Sequence, residues 1–144
     1  MSSSGGTSVR VLFIATVART GTVLGDRIAL ATGADAMRGL LGRQGLAPGE
    51  GLYFPHATFG ALHSFGMRFA FDAVYLDRGG RVRRVLWGVR PGRLCPWDLW
   101  TVAALELPAG TLGRTGVAVG DGVLVVRALR AEAGEGSQAV RVLP

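Results

Sequence analysis

The sequence contains no lysine and no asparagine, only two isoleucines, one cysteine and two histidines. Each scarcity excludes something. A single cysteine, Cys95, cannot form an internal disulfide, so nothing points to the stapled small domains of oxidising compartments. Lysine, asparagine and isoleucine share AT-rich codons, and their scarcity fits a genome of high GC content. That origin explains why all 16 basic residues are arginine, but not their excess over 10 acidic ones. The net charge of +6 favours weak association with polyanions at low salt. The only dense arginine group is Arg81, Arg83, Arg84, Arg90 and Arg93, and no groove-reading helix or base-stacking module accompanies it. Nucleic acid is therefore not the expected partner. Apolar runs of the ~18 residues that span a membrane are absent. Val11 to Ala18 follows Arg10 as a signal core would, but the lead is Ser/Gly-rich and lacks a basic region, so a first strand and a cytoplasmic location are expected.

What is present describes a globular chain. With 144 residues, 49% of them apolar and 18% charged, it has the length of one domain. A chain of this size buries roughly two-thirds of the surface its unfolded form exposes. Residues 1–8 read as a tail, 9–129 as a single β domain, and 130–144 as a second tail in which Val140 to Leu143 adds an edge strand. Strands are expected over Val9 to Ala18, Val23 to Ala31, Gly51 to Phe54, Val82 to Val89, Thr101 to Leu107 and Val123 to Leu129. Leu62 to Asp77 reads as one bent strand or two, with Gly66 at the bend. Arg78-Gly79-Gly80 makes a three-residue loop that sets Asp77 opposite Arg81. Met37, Leu40 and Leu41 mark a short amphipathic helix over Ala34 to Gly42, and Ala109 to Gly116 is a turn or one helical turn. Many strands with glycine turns and little helix predict a mainly β fold, an antiparallel β-sandwich or barrel with one or two short helices.

The segment from His63 to Asp77 concentrates the candidates for chemistry. Phe65, Met67, Phe69, Phe71 and Ala73 share one strand parity, while Ser64, Arg68 and Asp72 share the other. Such a polar trio is either a solvated face or a site. Arg68 and Asp72 form a structural ion pair, or Arg68 holds a carboxylate or phosphate. His63 is either a partly buried histidine bonded to a backbone carbonyl or a general base, with Asp72 or Glu106 to orient it. Glu106 lies in the apolar run Val102 to Pro108 and, if buried, needs a partner, for which Arg43 or Arg68 is expected. Arg38 and Arg43 bracket Gly-Leu-Leu-Gly, facing one anion or capping a helix. Trp97 and Trp100 lie in a loop, as a sugar platform or partner contact, or as cover for one open end of the barrel. His56, His63 and Cys95 fit no zinc spacing, so neither metal nor cofactor is expected. A Cys95 nucleophile lacks any pKa-lowering neighbour beyond Arg93.

Several of these stretches together carry a resemblance. Arg38-Gly-Leu-Leu-Gly-Arg43, Gly51-Leu-Tyr-Phe54, His63-Ser-Phe-Gly-Met-Arg-Phe-Ala-Phe-Asp72, Tyr75-Leu-Asp77, Leu105-Glu-Leu-Pro-Ala-Gly110, Gly116 and Gly120-Asp121 resemble the domain-of-unknown-function 192 family, over about Val23 to Leu129. The resemblance implies a small jelly-roll-type β fold and does not imply an activity. Three functions remain open. The first is a non-enzymatic module binding a small anion or sugar through Arg43, His63, Ser64, Arg68, Asp72 and Trp97. The second is an interaction protein docking through an edge strand or the Trp97-Trp100 loop, to itself or to another protein. The third is a hydrolase with His63 as base and Asp72 or Glu106 as its orienter.

Overall fold

The computed structural model describes residues 11–32, 40–128 and the backbone of 140–141. Eight strands form one sheet: β1 (Leu12–Val17), β2 (Val23–Leu30), β3 (Glu50–Phe54), β4 (Phe71–Leu76), β5 (Val82–Val89), β6 (Ala103–Pro108), β7 (Val123–Ala128) and the two-residue β8 (Val140–Arg141). Their order across the sheet is β5-β4-β6-β3-β2-β1-β7-β8. A 3-10 turn covers Thr58–Gly60, and a short helix, α1, covers Thr111–Thr115. The single-domain, mainly β expectation holds. One pairing departs from the antiparallel rule: β3 lies parallel to β2, which the long crossover from Ala31 to Gly49 permits.

The sheet curls until its first strand returns towards the far side. Val82 N donates to Asp121 O at 2.8 Å, Gly120 N to Val82 O at 2.9 Å, and Val123 N to Gly80 O at 2.8 Å, so the start of β5 meets the start of β7. The enclosed face is apolar: Phe13, Ala15, Ile28, Val74, Leu76, Val82, Leu105, Leu107 and Val123 form one buried cluster, with Leu112 of α1 packed into it. A second cluster lies on the opposite face of β3, β4 and β6. There Leu52, Phe54, Phe71, Ala73, Tyr75 and Ala104 are covered by loop residues Leu40, Ala57, Met67 and Cys95. β4 is therefore buried along its whole length, and its sequence Phe-Asp-Ala-Val-Tyr-Leu is accordingly near-continuously apolar.

The predicted β5 matches the observed strand, and the other paired strands agree within a few residues. The Arg78-Gly79-Gly80 loop also forms, with Gly80 at φ 79°. Asp77 does more there than oppose Arg81: its Oδ1 accepts the amides of Gly79 and Arg81, both at 2.9 Å. The helix expected over Ala34 to Gly42 falls largely on residues 33–39, outside the described residues, and Leu40 to Gly42 form a turn.

The segment from Leu62 to Asp77 corrects the strand reading. Regular pairing begins only at Phe71, and His63 makes a lone bridge to Leu94. Gly66 at φ 79° turns the chain between them. Alternation therefore fails before β4: Phe65 is exposed, Met67 is buried, and Ser64, Arg68 and Asp72 share no face.

Candidate functional site

Asp72 is the most fully engaged polar side chain of the predicted set. It is 1% exposed, on the same parity of β4 as Val74 and Leu76 of the enclosed cluster. Its Oδ1 accepts the Gly88 amide at 2.8 Å, and its Oδ2 accepts those of Gly110 at 3.0 Å and Leu112 at 2.9 Å. The reason lies in the backbone. The register against β5 shifts between Phe71–Val89 and Ala73–Leu86, so β5 bulges at Trp87-Gly88 and leaves an amide without a ladder partner. The first turn of α1 likewise has unpaired amides, and Gly110 supplies no side-chain cap. One buried carboxylate meets both needs. This corrects the readings of Asp72 as a partner of Arg68, an orienter of His63 or a ligand contact: both oxygens are committed to backbone.

Ser64 has a similar role one layer out. Fully buried, it accepts the Arg93 amide at 2.8 Å through Oγ and donates from Oγ to the Arg90 carbonyl. Its own amide donates to Arg93 O at 2.8 Å, and its carbonyl accepts Gly92 N at 2.9 Å. The 90–93 turn is thus stapled to the His63-Ser64 segment. Between that turn, the following Leu94 to Pro96 and the second half of β5 lies an open groove of about 440 Å³. Trp87, Val89, Arg90, Arg93, Leu94 and Cys95 line it. Neither Arg90 nor Arg93 has a carboxylate within ion-pair reach among the described residues, whereas Arg83 and Arg84 share Asp98 at 3.3 and 3.9 Å.

Asp98 also fixes the tryptophan loop. Its Oδ1 accepts the Trp100 amide at 2.9 Å, and its amide donates to Phe59 O at 3.1 Å. The loop is held against β5 while its side chains project: Trp97 is 70% exposed, Leu99 72% and Trp100 69%. Neither tryptophan packs into the two buried clusters.

A buried titratable group lies on the outer-cluster side of the sheet. Glu106 sits on β6 opposite Ala73 and Leu52, 5% exposed. It makes no ion pair or hydrogen bond among the described residues, and burial pushes its carboxyl up to about 8. The expected partners are elsewhere: Arg43 lies 3.6 Å from Glu50, and Arg68 is exposed. Glu106 therefore holds a proton at neutral pH. Close to it, the Tyr75 hydroxyl donates to Gly60 O at 2.8 Å and lies within hydrogen-bond reach of Cys95. Burial, reinforced by Glu106 and partly offset by Tyr75, holds the Cys95 thiol above its ordinary range. A thiol so placed is a poor nucleophile.

His63 stands at the surface, its ring stacked on Phe65 with centroids 5.2 Å apart and its Nδ1 accepting the Phe65 amide at 3.3 Å. No carboxylate faces it among the described residues. A second hollow of about 360 Å³, near Arg27, Thr111 and Arg114, takes in none of the predicted residues either. The predicted set thus divides. Ser64 and Asp72 are scaffold, Trp97 follows the groove-lining Pro96 without lining the groove itself, and Arg43, His63, Arg68 and Glu106 line neither hollow. Missed from sequence were Trp87, Arg90 and Arg93 as groove walls. The dense arginine group was the signal, but the turn that presents two of its members depends on a serine 26 and 29 positions away.

Solved structures share this fold. A protein of unknown function from Novosphingobium aromaticivorans DSM 12444 superposes with a TM-score of 0.68 at 23% identity, over 83% of this chain and 88% of that one. A putative transcription regulator from Sinorhizobium meliloti 1021 does so with a TM-score of 0.64 at 24% identity, over 81% of this chain and 93% of that one. No curated protein matches the sequence. Residues 16–125 match the family model described as DUF192, an uncharacterized ACR, and the chain belongs to that domain-of-unknown-function 192 family.

Proposed function

We propose that this chain is a binding module that takes an anionic group in the groove between β5 and the 93–96 segment. The supporting observation is the pair Arg90 and Arg93, held on a turn stapled by Ser64 and without carboxylate partners among the described residues. Ser64 fixes their backbone, and their exposed guanidinium groups offer fork-shaped donors suited to phosphate or carboxylate oxygens. Trp87 and Leu94 add apolar walls, and the groove volume falls within the range of small-ligand sites. The expected small-anion function is kept, while its location moves from Arg43 and Arg68 to Arg90 and Arg93. Binding is favoured over hydrolysis because the catalytic candidates are otherwise engaged. Asp72 serves the backbone, Glu106 is protonated, and the Nδ1 of His63 accepts an amide.

Thermal unfolding with added inorganic phosphate, citrate or neutral sugars tests the reading. Saturating anion raises Tm, since a ligand at a hundred times its Kd adds about 2.7 kcal/mol. The Arg93→Ala variant loses that rise, and neutral sugars give none. A Tm unmoved by every anion refutes the reading.

A further inference from the structure

We propose that the groove and the tryptophan loop beside it form one docking face for an anionic lipid surface, with lipid phosphate as the groove's anion. This rests on the anion-binding reading above and names the source of the anion. Two independent observations converge on it. The first is charge: from Arg83 on β5 to Trp100 four arginines stand against one acid, Asp98, a net charge of +3. Asp98 is itself engaged by Arg83 and Arg84. A negatively charged surface complements such a face.

The second is the chemistry of what projects from it. Leu94 is 75% exposed and Leu99 72%, both on the β5–β6 connection that carries Trp97 and Trp100, and Trp87 is 64% exposed on β5 itself. Large tryptophan rings favour the interfacial zone of a bilayer, where an apolar body and an N–H tip are both accommodated. Exposed leucines gain by entering acyl chains and gain nothing from a nucleic-acid backbone. A second copy of this chain is disfavoured, because it would bring the same arginines against themselves. The fold supplies the rigidity: Ser64 pins the 90–93 turn to the His63-Ser64 segment, and Asp98 pins the tryptophan loop to β5 through Arg83.

All three tryptophans of the sequence, Trp87, Trp97 and Trp100, belong to this face, so intrinsic fluorescence reads docking directly. The full chain is titrated with phosphatidylcholine vesicles with and without phosphatidylglycerol, and binding is checked by co-sedimentation. Anionic vesicles shift the emission to the blue and carry the protein down, and neutral vesicles do neither. Replacing Arg90 and Arg93 by alanine weakens binding by roughly fivefold per arginine. Leu94→Ser with Leu99→Ser, both at exposed positions and checked for folding by circular dichroism, abolishes the blue shift. Vesicles that leave emission unchanged while phosphate still raises Tm overturn the lipid assignment alone. If neither acts, both readings fall. Vesicle binding indifferent to the leucines, or tighter binding and quenching by a single-stranded oligonucleotide, also overturns the lipid assignment.

Discussion

Asp72 and Leu112 are 40 positions apart in the sequence, yet the carboxylate of one accepts the amide of the other at 2.9 Å. That bond ties the helix closing the enclosed core to a central strand. The Gly88 amide on the other oxygen ties in the edge strand that walls the groove. Removing the carboxylate strands one buried amide, that of Leu112, and two part-buried ones, those of Gly88 and Gly110. Asp72→Ala therefore costs about 3–5 kcal/mol, read as a fall in the urea midpoint. Asp72→Asn keeps one acceptor oxygen and costs less. Amide exchange should accelerate at Gly88, Gly110 and Leu112 before it does elsewhere. An Asp72→Ala midpoint equal to that of the parent removes the tether from the account.

Gly60 and Tyr75 make a tighter pair. Gly60 has φ +65°, and a Cβ there would run into the ring of Tyr75 at Cε2. The phenol lies over the glycine and donates to its carbonyl. Gly60→Ala meets both a backbone and a packing penalty, and roughly 2 kcal/mol or more is expected to be lost. Tyr75→Phe keeps the ring and loses only the hydrogen bond, a cost of about 1–2 kcal/mol. Denaturation of the two single variants should rank them in that order, and a harmless Gly60→Ala would show that the ring yields.

These relationships explain which parts of the molecule were legible in its sequence. β5 and the Asp77–Arg81 loop were readable because local pattern and turn chemistry determine them. His63 to Ala70 was misread because its alternation imitates a strand while Gly66 breaks it and Ser64 bonds to a distant turn. Asp72 looked like a catalyst for a related reason: a lone carboxylate in an apolar strand signals a buried need, but the need was a bulge and a helix start that only the fold reveals. The arginine pairings failed because ion-pair partners depend on loop paths, and Arg43 found Glu50 nearby. The groove was least legible, since its walls come from β5 and from a loop positioned by contacts remote in sequence.

Glu106 gives the sharpest dependence on pH. Its ordinary value is 4.5, and burial raises it to about 8 in the folded chain. Below the lower value both folded and unfolded chains hold the proton, so the residue causes no loss of stability. Between the two values the unfolded chain releases a proton that the folded chain keeps. The unfolded state then binds fewer protons, and stability falls by up to about 1.4 kcal/mol per pH unit, levelling once the folded carboxyl ionises. Across the window the loss reaches the order of a few kcal/mol. Glu106→Gln has nearly the same shape and no proton to release. Its urea midpoint should match the parent near pH 4, exceed it at neutral pH, and change less as pH rises. If the two midpoint curves run parallel over that range, the folded carboxyl is ionised at neutral pH and a countercharge must lie beside it.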